Sequence, residues 1–276
     1  GVGSKAFGQS ASRQKTYLCG ATWTTERASL VNAALTNEDG FYEITGVNYG
    51  AGNTFTAKAA KSSYFNQSLE FNAVNQTYAD LTNFDLPDSS SITLTLKPFA
   101  FSGFQTILSK ADVFGGDLFS VNLDGANLKV TVNNGTPHDF GPISMDFHHL
   151  AFTLKQSGST LEVGYYKDGT FVSSKSFGGA ASDLSGLPWK VGARAYGTNA
   201  QSNFFTGLVD EVAFYKTLLS LTAIQTAHNV GTNSSDINLL SWFNFNEGVG
   251  TALHDMGQAM TGDGTTHGTG WSTAAA

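Results

Sequence analysis

Apolar and polar residues alternate along much of the chain. In the segment HHLAFTL, Leu150, Phe152 and Leu154 alternate with smaller or polar residues, and the segment LEVGYYK repeats the pattern. A period of two with one apolar face is typical of antiparallel strands that bury one side. The pattern therefore predicts an antiparallel sandwich or barrel.

Short turn signals separate these alternating segments. They are the dipeptides Asp39-Gly40, Asp124-Gly125, Asn134-Gly135 and Asp168-Gly169. Each dipeptide tolerates the positive φ angles of tight hairpin turns. We therefore expect consecutive strands to pair as hairpins.

One segment departs from the period of two. SLTAIQTAHN, residues 220–229, places Leu221 and Ile224 on one side of a helix, and Ser220 can cap the first turn. A single helix does not change the fold class. We predict an all-β protein with one short helix.

The composition indicates in which compartment the protein acts and which classes of partner it can bind. Charged residues make up only 13% of the 276 residues, about half the usual share, and glycine is abundant, which favours an extracellular β protein. The net charge is −7 and no basic run occurs, so nucleic acid is a poor candidate partner. No apolar run reaches the length of a membrane span, so we expect no membrane insertion.

A change in composition near residues 62–68 divides the chain into two predicted domains, residues 1–67 and residues 68–276. The first domain resembles the strand and hairpin motifs of carboxypeptidase-regulatory-like modules at Gly20-Ala21, Asp39-Gly40-Phe41-Tyr42, Gly46, Gly50 and Tyr64. These are immunoglobulin-like modules of cell-surface proteins, including large bacterial surface adhesins. The resemblance implies a small sandwich that acts as a spacer without catalytic groups.

The second domain carries a longer set of motifs in a fixed order. They are SLEFNAVNQTYADL, SITLTLKPFAFSGFQTILSK, FHHLAFTLKQSGSTLEVGYYKDGTFVSS and VGARAYGTNAQSNFFTGLVDEVAFYKTLLSLTAIQTAH. Together they resemble the laminin-G-like, concanavalin-type jelly-roll family over roughly residues 68–271. The resemblance implies an antiparallel jelly roll.

The segment LLSWFNFNEGVGTALHDMGQAMTGDGTTHGTGW, residues 239–271, resembles the motif that opens this family's domain, yet here it comes last. Either the jelly roll closes on its own C-terminal strand, or that strand completes a neighbouring module in a tandem array. Apolar residues on both faces of the strand indicate burial. We expect an ordered, central or near-central strand that packs within its own chain.

Two aromatic residues are candidates for binding carbohydrate. Trp189 and Tyr196 flank the loop near the VGAR strand, where exposed rings can stack on a sugar. Trp242 and Trp271 occupy strand positions of the family pattern and are interpreted as core residues. The alternative for all four rings is burial.

Carboxylates in the loops suggest calcium as a possible cofactor. Asp85, Asp88, Asp124 and Asp210 are the candidate oxygen ligands, although calcium needs six to eight oxygens and the sequence does not show which loops converge. Neighbouring residues on a strand face opposite ways, so Asp210 and Glu211 are not expected to act as a catalytic acid and base on one substrate.

These observations favour a protein that is not an enzyme. The leading hypothesis is an extracellular module of a large secreted surface adhesin or filament, located outside the cell or on its surface. Its partners would be surface glycans, proteins or neighbouring copies of itself. The alternative is a carbohydrate-binding module accessory to a polysaccharide-degrading enzyme.

Overall fold

The chain divides into two units, Gly1–Phe65 and Asn66–Ala276. The computed structural model describes residues 21–25, 55–59, 67–111, 116–178, 187–196, 200–259 and 262–274. In the first unit, β1 (Ala21–Thr25) pairs antiparallel with β2 (Phe55–Ala59). The predicted hairpin at Asp39-Gly40 and the aromatic Tyr64 lie outside the described residues. The immunoglobulin-like module therefore stays a prediction.

The second unit consists mainly of strands. In chain order they are β3 (Ser68–Phe71), β4 (Tyr78–Asp80), β5 (Ser89–Pro98), β6 (Phe104–Ala111), β7 (Asp117–Asp124), β8 (Asn127–Val132), β9 (His138–Pro142), β10 (His148–Ser157), β11 (Thr160–Lys167), β12 (Thr170–Gly178), β13 (Lys190–Val191), β14 (Arg194–Tyr196), β15 (Ala200–Ser202), β16 (Gly207–Tyr215), β17 (Leu239–Phe243), β18 (Ala252–Leu253), β19 (Gly264–His267) and β20 (Gly270–Ser272). Helix α1 (Leu221–Val230) lies between β16 and β17.

Two antiparallel sheets of eight strands each form a sandwich in the described part of this unit. Sheet I has the order β12-β11-β10-β5-β16-β3-β20, and β17 also pairs with β16. Sheet II has the order β18-β19-β4-β13-β6-β7-β8-β9. The strands β14 and β15 form a separate hairpin. The predicted all-β sandwich with a single short helix is confirmed for the described residues.

The core between the sheets follows the period of two. Leu150, Phe152 and Leu154 of β10 belong to one buried cluster with Val121 and Leu123 of β7. Each fully buried side chain of this size contributes about 1.5–3 kcal/mol relative to its exposed state. The apolar residues that alternate in the sequence therefore form the buried face of the strand, and their packing stabilises the sandwich.

The turn at Asp168-Gly169 joins β11 to β12. Asp168 has a φ of 51° and Gly169 a φ of 72°, as the predicted tight hairpin requires. The Asp168 carboxylate also fixes the start of β10: Oδ1 accepts a hydrogen bond from the His149 backbone N–H at 2.9 Å, and Oδ2 lies 2.8 Å from His148 Nδ1. This turn therefore fixes the ends of three strands.

Helix α1 begins where the sequence predicts. Ser220 is the N-cap residue, and its hydroxyl accepts a hydrogen bond from the Ala223 backbone N–H. Ile224 is buried in a second apolar cluster, which also includes Leu219 and Leu239. The helix therefore covers part of the outer face of sheet I. Among the described residues, no helix is long and apolar enough to span a membrane.

The C-terminal segment completes the sandwich within its own chain, which confirms that prediction. β17 pairs with β16, β19 with β4, and β20 with β3. Phe243 and Phe245 are buried in the main core. The interpretation in which this segment serves only a neighbouring module is therefore wrong for this structure.

The prediction of an ordered strand is confirmed for β17, but its predicted central or near-central position is wrong. β17 pairs with β16 on one side, and its other edge is covered by a loop: the Met256 N–H donates to the Trp242 carbonyl at 2.7 Å, and the Ala259 N–H donates to the Leu240 carbonyl at 3.3 Å. A bulge opposite Phe214 and Tyr215 also shifts the register. As a result Leu240 packs on the main core and Trp242 on the second cluster, rather than both on one face.

We expect Phe243→Ala to lower the free energy of unfolding by about 3–5 kcal/mol, because truncating a buried ring removes its burial and leaves a cavity. Ile237→Ala is the control, since Ile237 precedes β17 and is 75% exposed; its effect should stay within about 0.5 kcal/mol. Urea unfolding followed by tryptophan fluorescence measures both. Equal small effects would show that the C-terminal strand does not contribute to the core.

Candidate functional site

A groove of about 260 Å³ lies on the outer face of sheet I. Its floor is formed by side chains of β10, β11 and β12 that alternate with the core residues of those strands. Ligand sites are commonly concave, largely apolar and equipped with a few polar groups. The groove meets this description and is smaller than the range usual for drug-sized ligands, which suits a small ligand.

The floor is set by the pairing of three strands. Thr153 of β10 is paired with Gly164 of β11, which in turn is paired with Ser174 of β12. A Cβ atom at position 164 would lie 2.5 Å from Thr153 Oγ1, so a larger residue would not fit without movement. Because Gly164 has no side chain, the groove stays open between the side chains of Thr153 and Ser174.

Two aromatic rings form one end of the groove. Tyr166 and Phe171 are paired across β11 and β12, and their ring centroids are 5.2 Å apart at an angle of 65°. Phe171 is 51% exposed, and its neighbour Val172 is exposed as well. An exposed ring beside a cavity offers an apolar surface to a ligand.

Two opposite charges form the other end. Lys155 of β10 and Glu162 of β11 are paired in register and line the groove. Within the described ranges, neither side chain has an ion-pair partner within 4.0 Å. The ammonium group can donate, and the carboxylate can accept, hydrogen bonds from a ligand.

A segment before helix α1 forms the wall. Leu218 and Leu219 line the groove. Their position is fixed by Ser91 of β5, whose hydroxyl donates to the Thr217 carbonyl and accepts from the Leu219 N–H, both at 2.9 Å. The wall therefore depends on a hydrogen-bonded contact between residues distant in the chain.

The C-terminal turn of helix α1 packs against the start of β10. The ring centroids of His228 and His149 are 5.6 Å apart, and an atom at the Cβ position of Gly169 would lie 3.3 Å from His228 Cδ2. His149 is buried, and in the described part of the chain its Nδ1 has no hydrogen-bond partner. Burial, together with His228, lowers the pKa of His149 to about 4 despite the opposing charge of Asp168.

The prediction that Trp189 is an exposed sugar-binding ring is wrong. Trp189 is 0% exposed, and its indole N–H donates to the Phe84 carbonyl at 3.1 Å. Its ring packs in the core 4.9 Å from the Phe214 ring. A ring enclosed by other aromatics cannot stack on a ligand in solvent.

Tyr196 lies in β14, where its backbone pairs with Ala200. Its side chain lies outside the described residues, so its role in binding stays a prediction. Trp242 and Trp271, interpreted as core residues, are half-buried and pack against the edges of the two apolar clusters.

The predicted calcium ligands do not form a common site. Asp85 and Asp88 are exposed residues of the segment before β5, and Asp124 pairs with Lys129 at 2.7 Å. No group of three or more histidine, cysteine or acidic residues that could hold a metal occurs among the residues that the structure describes. The described side chains therefore offer no cluster of carboxylates for calcium, and calcium binding stays a prediction.

Asp210 and Glu211 lie at a bulge in β16. The strand register shifts between Asp210 and Ala213, and Glu211 has a φ of 55°. Asp210 is buried, and its Oδ1 accepts a hydrogen bond from the Glu211 N–H at 2.9 Å. The Glu211 carboxylate accepts the indole N–H of Trp242 at 2.8 Å. Both carboxylates thus stabilise the junction of β16 and β17.

The groove residues were not identified from the sequence, although a signal was present. Tyr166 and Phe171 are large aromatic residues at outward-facing positions of β11 and β12. The other outward-facing residues of these two strands are polar or small. A second signal is Gly164 in the middle of an alternating strand, since an interior glycine often marks a close approach. The pairing of these positions depends on strand register, which the alternation does not reveal.

A sequence model of the concanavalin A-like lectin/glucanases superfamily matches residues 73–225 of the chain, which is more than half of it. All the residues that line the groove lie within this match. A comparison with curated proteins finds no significant match.

Solved structures share the fold at low sequence identity. A candidate carbohydrate-binding protein of Bacteroides ovatus matches with a TM-score of 0.58 and 16% identity, over 86% of this chain and 67% of its own. A heptameric SAP-like pentraxin of Limulus polyphemus matches with a TM-score of 0.51 and 13% identity, over 63% of this chain and 85% of its own. At such identities the likeness establishes the fold.

We expect the free energy of unfolding to decrease as the pH falls from about 6.5 to about 4, because over this range the unfolded chain binds a proton at His149 that the folded chain does not. The decrease is at most about 1.4 kcal/mol per pH unit, or about 3 kcal/mol in all. Urea unfolding at pH 7.5 and pH 4.5 should show a smaller decrease for His149→Gln. The control is His254→Gln, since His254 is exposed; if both variants keep the full decrease, His149 is not its source.

Proposed function

The chain belongs to the concanavalin A-like lectin/glucanases superfamily, and on that premise we propose that its jelly-roll unit is a non-catalytic module that binds a saccharide in the groove of sheet I. The observation that carries the proposal is the combination, in one groove, of an exposed aromatic ring, two opposite charges that form no ion pair with any described residue, and the hydroxyl groups of Thr153 and Ser174. This combination matches the two kinds of surface that a sugar ring presents.

The aromatic end supplies the apolar contact. A sugar ring has a face of C–H groups, which packs on an aromatic side chain and leaves the water around both surfaces. Phe171 is 51% exposed and stands beside the cavity. Tyr166 supports it from the neighbouring strand. Burying the Phe171 ring under a ligand would contribute to affinity.

The polar end supplies orientation. Sugar hydroxyls both donate and accept hydrogen bonds, and bonds to charged partners are stronger than those between neutral groups. Glu162 accepts from ligand hydroxyls, Lys155 donates to them, and Thr153 and Ser174 can do both. The low floor at Gly164 lets the ligand approach all four groups.

A non-catalytic role is supported by the carboxylates. Among the residues that line the groove, Glu162 is the single carboxylate, whereas glycoside hydrolysis ordinarily uses a pair. Asp210 and Glu211 are engaged in the bulge between β16 and β17. The groove thus has the groups for binding and one of the two carboxylates that hydrolysis would use.

The proposed setting is a secreted or cell-surface protein, with surface glycans as partners. Gly1–Phe65 would act as a spacer that holds the binding unit away from its attachment point. An adhesin or filament fits this arrangement, and so does an accessory module of a polysaccharide-degrading enzyme. In the second setting the same gene encodes a catalytic domain, so the complete coding sequence distinguishes the two.

We expect Phe171→Ala to weaken binding of a glycan about tenfold or more, which corresponds to about 1.4 kcal/mol. The ligand is first found on a glycan array probed with the whole chain, and its affinity is then measured by isothermal titration calorimetry. The matched control is Val172→Ala, because Val172 is an exposed neighbour that does not line the groove.

A second variant tests the polar end. Glu162→Gln keeps the shape of the side chain but removes its charge, so it should weaken binding while leaving the melting temperature unchanged. The proposal is wrong if the array shows no bound glycan, or if Phe171→Ala and Val172→Ala bind equally well.

A further inference from the structure

A buried lysine lies in the core of the sandwich, away from the groove. Lys110 of β6 is 0% exposed. Its Nζ donates a hydrogen bond to Asn83 Oδ1 and another to the Phe84 carbonyl at 3.2 Å, and it lies 5.8 Å from the centroid of the Trp189 ring. A charged ammonium group is costly to bury, and fully buried lysines are rare unless they are paired.

Its surroundings increase the share of the neutral amine. Burial lowers the pKa of Lys110 to about 8, against the opposing effect of the Asp85 charge. About a tenth of the molecules then carry a neutral amine at pH 7, and about half do at pH 8. A neutral lysine amine is a nucleophile, as the lysines of covalent enzymes illustrate.

The group next to this amine is an electrophile. The hydrogen bond to Oδ1 places the Lys110 Nζ beside the carboxamide of Asn83, whose carbonyl carbon is one bond beyond that oxygen. Holding two reacting groups together in a protein raises their effective concentration by many orders of magnitude. Asn83 itself is exposed, so a small leaving group can reach solvent.

We propose that Lys110 and Asn83 join in an intramolecular isopeptide bond. The lone pair of Nζ attacks the Asn83 side-chain carbonyl carbon, and a C–N bond forms. The bond from that carbon to the original amide nitrogen breaks, and one proton passes from Nζ to the departing group, which leaves as ammonia. No oxidant or other reactant is needed. The charge of Asp85 raises the pKa of Lys110 and so opposes the neutral amine.

The bond would cross-link distant parts of the fold. Lys110 lies in sheet II, and Asn83 lies 27 residues earlier in the segment that leads into β5 of sheet I. A covalent link between them restricts the unfolded chain, as a disulfide does, and stabilises the folded state without depending on redox conditions. The proposal is independent of what the groove binds.

Intact mass spectrometry of the purified full chain under denaturing conditions tests the proposal. The expected mass is lower than that of the sequence by one ammonia molecule. Digestion at aromatic residues should then leave the fragment with Asn83 joined to the fragment with Lys110. An unmodified mass, after incubation of the folded protein at pH 8, overturns the proposal.

Two variants locate the bond. Asn83→Ala removes the electrophile at an exposed position, so the chain should fold, show its full calculated mass and melt at a lower temperature than the linked protein. Asp85→Asn removes the charge that keeps Lys110 protonated, so it should speed the loss of ammonia after refolding at pH 7. A slower loss would contradict attack by the neutral amine of Lys110.

A matched control is available on a neighbouring strand. Lys190 of β13 is also buried and pairs with Asp80. Lys190→Met should leave the loss of ammonia unchanged. A loss of water instead of ammonia would assign a bond to Lys190 and Asp80, and would overturn the assignment to Asn83.

Discussion

The completed jelly roll depends on the pairing of its last strands with β16 and β3. β17 and β3 occupy the same side of β16, and β20 extends the sheet beyond β3. These pairings place Phe243 and Phe245 in the core, and their burial offsets the entropy lost when residues so far apart in sequence come together. The end of β16 in turn leads directly into the segment Thr217–Leu219, which forms the wall of the groove. The wall of the groove is thus continuous in the chain with a strand that pairs with the C-terminal segment, although the groove is lined by none of that segment's residues.

The sequence predicts the features of this fold that depend on local spacing. The alternation at Leu150, Phe152 and Leu154 identifies the core face of β10, because successive strand residues point to opposite sides. The dipeptide Asp168-Gly169 identifies a hairpin, because few other residues adopt two successive positive φ angles. In each case the residues that determine the feature lie within a few positions of one another, so the local sequence pattern predicts it.

The features that the sequence does not predict depend on distant contacts. Nothing near Trp189 in the sequence shows that the Phe214 ring will pack against it. The groove requires the register of three strands, including a shift between Tyr165 and Tyr166. It also requires a wall anchored on Ser91, a residue of β5 that is distant from that wall in the chain. The predicted calcium ligands depend on distant contacts in the same way, because the sequence does not show which acidic loops converge in space, and calcium binding stays a prediction.

One feature of the topology bears on how the unit responds to tension. Ser68 begins its first strand and Ser272 ends its last, and the two are paired side by side in sheet I. A pull applied through these two residues would open the pair from one end and break its hydrogen bonds one after another, rather than shear them all together. Strands loaded in this way separate at low force. β20 and β3 would therefore separate first, while the other strands of the two sheets keep their packing.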